Sequence, residues 1–307
     1  MWCFGVISDI QYADHDDSLP LFPPLRTRYY RHTPKHLRTA LTDFKTSEVE
    51  FVLQLGDIID GKCKRHSREA LRKILDIFAE AGIPVHHTLG NHDMYNFSHE
   101  QALKEIINNR VTRSSPPQAY YAFVSHGLRF INLDSYDVAV LGRAKEHPTY
   151  ALAASYLTSN VNQDMNSPDG LEGLDRRFVQ YNGAIGEAQI AWLSSELRAA
   201  EEAKQSVVVF GHCGVSPEGT YNQCLLWNYD QVLALLESSP CVKLVLNGHG
   251  HIYLHGVSAT GKHYVTLRAV LETPPNEKSW MTVEVDVSEM KITAHDGSNV
   301  DEFVITL

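Results

Sequence analysis

Short apolar runs rich in β-branched residues recur along the chain at residues 3–7, 51–55, 85–89, 207–210 and 244–246. Each is the length of one strand buried on both faces, and each runs directly into a turn carrying Gly, Asp, Asn or His. Between the runs the apolar period lengthens to that of a helix. Thr33-Pro34 supplies an N-cap and a proline at the first helical position, after which Leu37, Ala40, Leu41 and Phe44 fall on one face. Ser67 opens a second helix with the stripe Ala70, Leu71, Ile74, Leu75 and Phe78, closed by Gly82. Ser98 and Gln101 have capping-box spacing and start a third helix to about Asn108. Helices are also expected over residues 187–204 and 229–237, and a hairpin over residues 120–133 turning at Ser125-His126-Gly127. Strands alternating with helices predict an α/β fold.

Two stretches depart from this alternation. Residues 12–24 are polar and proline-bearing, with Asp14, Asp16 and Asp17 close together, and read as a surface loop over the strand ends. From 134 to 186 the pattern is broken by Asn160, Asn162, Asn166, Pro168, Gly170 and Gly173, which predicts a long insertion with short helices of its own, placed as a lid. From Ile252 onward the chain reads as four or so antiparallel strands. No repeat or low-complexity linker interrupts it, so residues 1–307 are expected to form a single domain.

Length permits a full hydrophobic core without staples. Lys and Arg number 27 against 37 Asp and Glu, a net charge of −10 that repels a nucleic-acid backbone or an anionic bilayer; neither is expected as a partner. No stretch approaches about 18 apolar residues, the length of a membrane span. The first ten residues turn polar too soon for a signal peptide. The five cysteines are scattered without a CxxC pair and read as reduced thiols, so a cytoplasmic location is expected.

The turns after the five apolar runs carry the chemistry. In order they are Asp9-Ile10-Gln11, Gly56-Asp57-Ile58-Ile59-Asp60, Gly90-Asn91-His92-Asp93, Gly211-His212 and Gly248-His249-Gly250-His251. In open α/β sheets the carboxyl ends of strands are where ligands bind. Asp9, Gln11, Asp57, Asn91, His212, His249 and His251 offer oxygen and imidazole nitrogen and no thiolate, a donor set that suits divalent Mn, Fe or Zn. The number of donors is enough for two ions, and Asp57 is the candidate carboxylate to lie between them at a separation of about 3.5–4 Å. Ions so placed neutralise phosphoryl oxygens and lower the pKa of water, the requirements of phosphoester or phosphoanhydride hydrolysis. His92, next to Asn91, would lean toward a substrate and could stabilise the phosphoryl group or protonate a leaving oxygen, with Asp93 or Asp60 fixing its ring. His86 and His87 lie inside a strand run and are expected to pack; His15, His66, His99, His126 and His147 are expected on the surface.

The ordered set D-x-Q, G-D-x-x-D, G-N-H-D, G-H and G-H-x-H resembles the calcineurin-like metallophosphoesterase superfamily. Longer strings narrow the resemblance to the manganese-dependent ADP-ribose/CDP-alcohol diphosphatases: Ser8-Asp9-Ile10-Gln11-Tyr12-Ala13-Asp14, Arg28-Tyr29-Tyr30-Arg31-His32, Leu53-Gln54-Leu55-Gly56-Asp57, Phe178-Val179-Gln180-Tyr181-Asn182-Gly183 and Leu226-Trp227-Asn228-Tyr229. The resemblance implies a sandwich of two mixed β-sheets flanked by helices, with the insertion lying over the strand ends. It implies one ion held by Asp9, Gln11, Asp57 and His251, the other by Asp57, Asn91, His212 and His249, and His92 as the catalytic acid or charge stabiliser. The superfamily usually has His where this chain has Gln11; the diphosphatase branch resembles it in using Gln, a harder donor that favours Mn²⁺. The implied substrates are small nucleotides, ADP-ribose or a CDP-alcohol such as CDP-choline or CDP-glycerol, cleaved to AMP or CMP and a phosphorylated alcohol. The same ions would serve a phosphomonoesterase or a cyclic-nucleotide phosphodiesterase. A non-catalytic binding module on this fold is the other alternative, disfavoured because no ligand type is missing. One departure stands after the last histidine, where the family runs into Gly-Gly-Tyr and this chain has Ile252-Tyr253-Leu254-His255, expected to touch the pocket rim.

Overall fold

The structure, a computed structural model, describes residues 1–19, 26–107 and 118–307. Its strands are β1 (Trp2–Ile7), β2 (Val49–Gln54), β3 (Val85–His87), β4 (Tyr121–Ser125), β5 (Leu128–Asn132), β6 (Val207–Phe210), β7 (Val242–Asn247), β8 (Leu254–Val257), β9 (His263–Thr266), β10 (Trp280–Val285), β11 (Glu289–Asp296) and β12 (Asn299–Thr306). The helices are α1 (Thr33–Thr46), α2 (Ser67–Ala81), α3 (Asn91–Asn96), α4 (His99–Ala102), α5 (Tyr150–Tyr156), α6 (Glu187–Glu202) and α7 (Tyr229–Ser238).

The strands form two mixed six-stranded sheets, ordered β12-β11-β10-β1-β2-β3 and β4-β5-β6-β7-β9-β8. β1, β2 and β3 run parallel, as do β5, β6, β7 and β9, and antiparallel strands complete the edges. All four residues of β6 and the last four of β2 are buried, as continuous apolar runs require in a parallel interior. The sheets face each other through aromatic rings: Phe4 and Phe51 of the first are stacked at 5.6 Å, and Phe130 of the second meets each edge-on at 5.2 Å. Helices cover the outer faces. A Cβ on Gly5 would meet the ring of Phe44 at 2.8 Å, so the glycine is what lets α1 lie directly on β1.

The two long N-terminal helices follow their apolar stripes. In α2 the residues Ala70, Leu71, Ile74 and Phe78 are buried, and Gly82 ends the helix in the left-handed region at φ 71°. Ser98 and Gln101 close the expected capping box, but the helix they start is short: α4 passes into a π-helical turn over Leu103–Ile107, and Asn108 lies outside the described residues. α3 is not announced by any apolar stripe; it is a single short helix starting at the ligand-type residue Asn91. His86 stacks on Phe123 at 3.8 Å, a packing role as expected. His99 is not at the surface: only 6% exposed, it lies 2.6 Å from the buried Asp134 carboxylate and ties α4 to the start of the insertion.

The expected C-terminal antiparallel run is split. β10 pairs antiparallel with β1, and β11 and β12 continue the first sheet, each antiparallel to its neighbour, whereas β8 and β9 join the second sheet and β9 lies parallel to β7. Tyr264, Val265 and Thr266 are buried, so β9 suits an interior position beside β7, and a four-residue strand carries no periodicity to reveal its partner. In the stretch after the last histidine of the set, the Tyr253 hydroxyl donates to Asp301 at 2.6 Å and His255 stacks on Phe303 at 3.9 Å, tying Tyr253 and β8 to β12.

The insertion packs on a small core of its own, Val138, Ala153, Leu157, Ala184 and Trp227, with the indole N–H donating to Val179 O at 3.1 Å. It returns to the strand ends at Tyr181 and Asn182. None of the described helices is long and apolar enough to cross a membrane.

Candidate active site

All five turns that carry the candidate ligands leave the carboxyl ends of parallel strands: Asp9 and Gln11 follow β1, Asp57 follows β2, Asn91 follows β3, His212 follows β6, and His249 and His251 follow β7. The backbone there is unusual. Among the described residues eight non-glycines have positive φ, and five of them are Asp9 (51°), Gln11 (43°), Asp57 (56°), His249 (65°) and His251 (59°). Each such residue costs about 1–3 kcal/mol unless its surroundings dictate the conformation. Here they do: Gln11 N donates to Asp57 O at 2.9 Å, Asp9 N to Gly56 O at 3.3 Å and Gly248 N to His212 O at 3.1 Å, so the turns are sewn to one another. A Cβ on Gly90 would overlap Asp57, and one on Gly248 would overlap Ser8 and Asp9; the glycines allow the turns to close up.

The side chains converge in two groups that meet at one atom, Asp57 Oδ2. In the first, Gln11 Nε2 lies 2.9 Å from Asp57 Oδ2, 2.8 Å from His251 Nε2 and 3.4 Å from Asp9 Oδ1, and His251 Nε2 is 3.4 Å from Asp9 Oδ1. In the second, His212 Nε2 lies 3.5 Å from Asp57 Oδ2, 3.1 Å from Asn91 Oδ1 and 3.1 Å from His249 Nδ1. The seven residues proposed from sequence are thus together, all of them buried or nearly so.

This arrangement fits two divalent ions. Donor atoms about 2.0–2.2 Å from a common ion sit roughly 3 Å from one another, the spacing of both groups. Asp9, Asp57 and His251 each place a donor atom within 4.8 Å of the other two. Gln11 Oε1 is buried and has no hydrogen-bond partner; turning the amide over would aim that oxygen at the point where Nε2 now meets Asp57 and His251. The donor atoms are carboxylate, amide and imidazole, and the Cys213 thiol lies 3.5 Å from the Tyr136 hydroxyl, which also donates to Asn91 Oδ1 at 3.5 Å.

The electrostatics also favour positive charge. Burial opposes protonation of His212, yet the charge and hydrogen bond of Asp57 and the charge of Asp9 raise it to about 9. His251 is likewise raised to about 10 against its burial, by Glu272 and Asp9. Burial and the neighbouring His212 instead push His249 down to about 3, leaving it neutral with a lone pair to give.

His92 stands beside the groups, not in them. Its Nδ1 is 2.9 Å from Asp60 Oδ2, and its backbone N–H donates to Asp57 Oδ1 at 2.7 Å. Burial opposes a proton on the ring, but the carboxylates of Asp60 and Asp57 raise its pKa. Of the two carboxylates expected to orient His92, Asp60 is the one beside its ring, where Nδ1 also accepts the Gly61 N–H at 3.2 Å. Asp93 instead accepts from the N–H groups of Asp57 (3.0 Å), Ile58 (3.1 Å) and Gly90 (3.0 Å), pinning the turn after β2 to the turn after β3.

Residues 4–253 match the family model described as calcineurin-like phosphoesterase. The chain is 37% identical over 300 residues to the manganese-dependent ADP-ribose/CDP-alcohol diphosphatase of Oryza sativa subsp. japonica, covering 96% of this chain and 92% of that protein. It belongs to the calcineurin-like phosphoesterases and, within them, to this diphosphatase family. The Homo sapiens protein of the same description is 37% identical over 308 residues, with 95% of this chain and 89% of that one covered. A crystal structure of a dimetal phosphatase from Danio rerio superposes with a TM-score of 0.93 at 33% identity, over 99% of this chain and 98% of that one.

Within this family frame the structure adds Leu55 O and Glu272, which the sequence does not single out for the site, and gives Asn182, expected from the sequence to border the substrate together with Tyr181, a definite partner. Every histidine of the two groups has its remote ring nitrogen held by an acceptor, as is usual around metal ligands. His212 Nδ1 is 2.7 Å from Leu55 O, His249 Nε2 is 2.7 Å from Asn182 Oδ1, and His251 Nδ1 is 2.8 Å from Glu272 Oε1. Asn182 is the insertion's contribution, with Tyr181 edge-on to His249 at 5.4 Å. Glu272 is paired in turn with Arg28 Nε at 3.1 Å. Of Phe22, Tyr29, Tyr136, Tyr181 and Asn182, which the sequence leads one to expect beside the non-reacting half of a substrate, Phe22 lies outside the described residues.

Proposed function

We propose that the protein hydrolyses the diphosphate bond of ADP-ribose and CDP-alcohols with two Mn²⁺ ions, giving AMP or CMP and a phosphorylated alcohol. The observation that carries this reading is the convergence of two donor groups on Asp57 Oδ2 with His92 beside them, in a chain of the diphosphatase family. Residues 1–307 act as one domain, in the cytoplasm, where the five free thiols suit a reducing compartment. Neither nucleic acid nor a membrane is a partner in this reading.

One ion would be held by Asp9, Gln11, Asp57 and His251 and the other by Asp57, Asn91, His212 and His249. When bound, the ions supply Lewis-acid neutralisation of the phosphoryl oxygens and make a water nucleophilic near neutral pH. The protein's own groups do the rest. Asp57 keeps the two groups in register through its shared oxygen. Leu55 O, Asn182 and Glu272 hold the three imidazoles so that a lone pair faces inward. His92, with Nδ1 turned to Asp60 and the Gly61 N–H, has Nε2 left to carry a proton to the leaving phosphate oxygen as negative charge develops there. The insertion, through Tyr181 and Asn182, brings the non-reacting half of the substrate against the second group.

The deciding experiment is product analysis with ADP-ribose, CDP-choline and bis(4-nitrophenyl) phosphate in Mn²⁺. AMP and CMP are the expected products; turnover of bis(4-nitrophenyl) phosphate alone would mean a phosphodiesterase without diphosphatase activity, and no turnover of any would mean a binding module. Mn²⁺ is expected to support a higher kcat than saturating Mg²⁺, because three imidazole nitrogens are donors that Mg²⁺ binds poorly. Equal rates with the two ions would contradict the assignment of His212, His249 and His251 as ligands.

A further inference from the structure

The acceptors behind the three imidazoles are not equivalent. His212 and His249 are backed by a backbone carbonyl and a side-chain amide, both neutral, whereas His251 is backed by the carboxylate of Glu272. An anionic acceptor on one ring nitrogen makes the opposite nitrogen a stronger donor. The same asymmetry holds at the front. Asp9 belongs to the His251 group alone, while Asn91, His212 and His249 are neutral when they ligate, and Asp57 is shared.

Glu272 is built into place. Its side chain is 2% exposed and its segment is a single 3₁₀ turn, Val270–Glu272. The N–H groups of Val270 and Leu271 donate to Ser8 O (3.2 Å) and Asp9 O (3.0 Å), Ala269 N donates to His251 O (3.3 Å), and Tyr29 N donates to Leu271 O (2.8 Å). The turn that carries Glu272 is therefore sewn to the two ligand turns it serves, Asp9 and His251, and to the segment carrying Arg28. Arg28 Nε, at 3.1 Å from Glu272 Oε1, supplies the cation that lets a buried carboxylate remain ionised. Asn182, by contrast, reaches His249 from the insertion.

We infer that the two ions are held unequally, the one beside Asp9 more tightly, and that Glu272 is a positioning residue that makes the difference. This rests on the dinuclear reading given above. The consequence is stepwise loading: a resident ion in the Asp9 group and an exchangeable one in the His212 group.

The test is Mn²⁺ titration of the full chain after removal of metal by chelation, followed by electron paramagnetic resonance of free Mn²⁺ and by calorimetry. The wild type is expected to take up two ions in two resolved steps. Glu272→Gln keeps the shape and an acceptor oxygen but removes the charge, and is expected to weaken the tighter step about 10–100-fold while the weaker step stays in place. Glu272→Ala should weaken it further. Asn182→Ala should weaken the other step only. Arg28→Gln, which leaves Glu272 itself intact, is expected to weaken the tighter step by less than Glu272→Gln, and keeps the idea open to refutation if the Glu272 variants fail to fold by circular dichroism. Two equivalent ions in the wild type, or a Glu272→Gln variant that titrates like wild type or loses both steps equally, would overturn the inference. A wild type that binds fewer than two ions would overturn the dinuclear reading beneath it.

Discussion

Asp57→Ala is expected to abolish turnover of ADP-ribose, a loss of about 10⁴-fold or more, as found when one member of a group acting as a unit is removed. The reason is its double use. Asp57 Oδ2 is the one atom that both donor groups approach, at 2.9 Å from Gln11 and 3.5 Å from His212, and Oδ1 accepts the backbone N–H of His92. Removing the carboxylate separates the two groups and frees the start of α3, where Asn91 and His92 sit. The main chain should stay where it is, because the N–H groups of Asp57 and Ile58 are held by Asp93 rather than by the Asp57 side chain. The expected picture is therefore a folded protein by circular dichroism, with bound manganese falling below two ions per chain by elemental analysis. Near wild-type turnover with two ions bound would end the assignment of Asp57 as the shared ligand.

The seven ligand-type residues and the strands that carry them were legible because they share one signal, a donor directly after an apolar run, whereas the division into two sheets came from the family resemblance. That signal is physical, since a strand buried on both faces ends where its backbone leaves the core, and side chains there are fixed by the sheet and open to a ligand. Glu272 lacks it. It follows β9 by one irregular turn, and its trace in the sequence is only a lone acid after Ala269-Val270-Leu271, which is where a buried charge needing a partner would show. Asn182 is expected near the substrate because the insertion leaves a strand end, but its segment lacks periodicity, so its pairing with His249 Nε2 shows only in the fold. The choice between Asp60 and Asp93 also needed coordinates: both are within a few residues of a ligand, and only the path of the turn decides that one carboxylate meets an imidazole and the other three backbone N–H groups. His99 reads as a surface residue because a helix N-terminus usually is exposed; its partner Asp134 is 35 residues away, beyond the reach of any local pattern. The splitting of the C-terminal strands between two sheets is of the same kind, a pairing choice between strands too short to advertise it.

His92→Ala is expected to lower kcat by about two to four orders of magnitude, the range for a lost acid-base group, and to leave two manganese ions bound. Its imidazole touches neither donor group, so metal content separates the two roles it could have: if manganese is lost, His92 is a ligand. Because the group acts as charge moves onto the leaving oxygen, kcat and kcat/KM should fall together, the mark of an interaction made in the transition state. On the proposed mechanism Asp60 acts through His92. Its carboxylate, 3% exposed and 2.9 Å from Nδ1, fixes the ring and favours its protonated form. Asp60→Asn keeps the acceptor oxygen but removes the charge, and is expected to lower kcat by less than His92→Ala does. The double variant should be no slower than His92→Ala alone, since the carboxylate has nothing left to orient. Additive losses, with His92→Ala and Asp60→Asn multiplying in the double variant, would show that Asp60 works by another route, such as holding the turn after β2 through its bond from Lys62 N. A double-mutant cycle measured on kcat with ADP-ribose, with metal content determined for each variant, distinguishes the two.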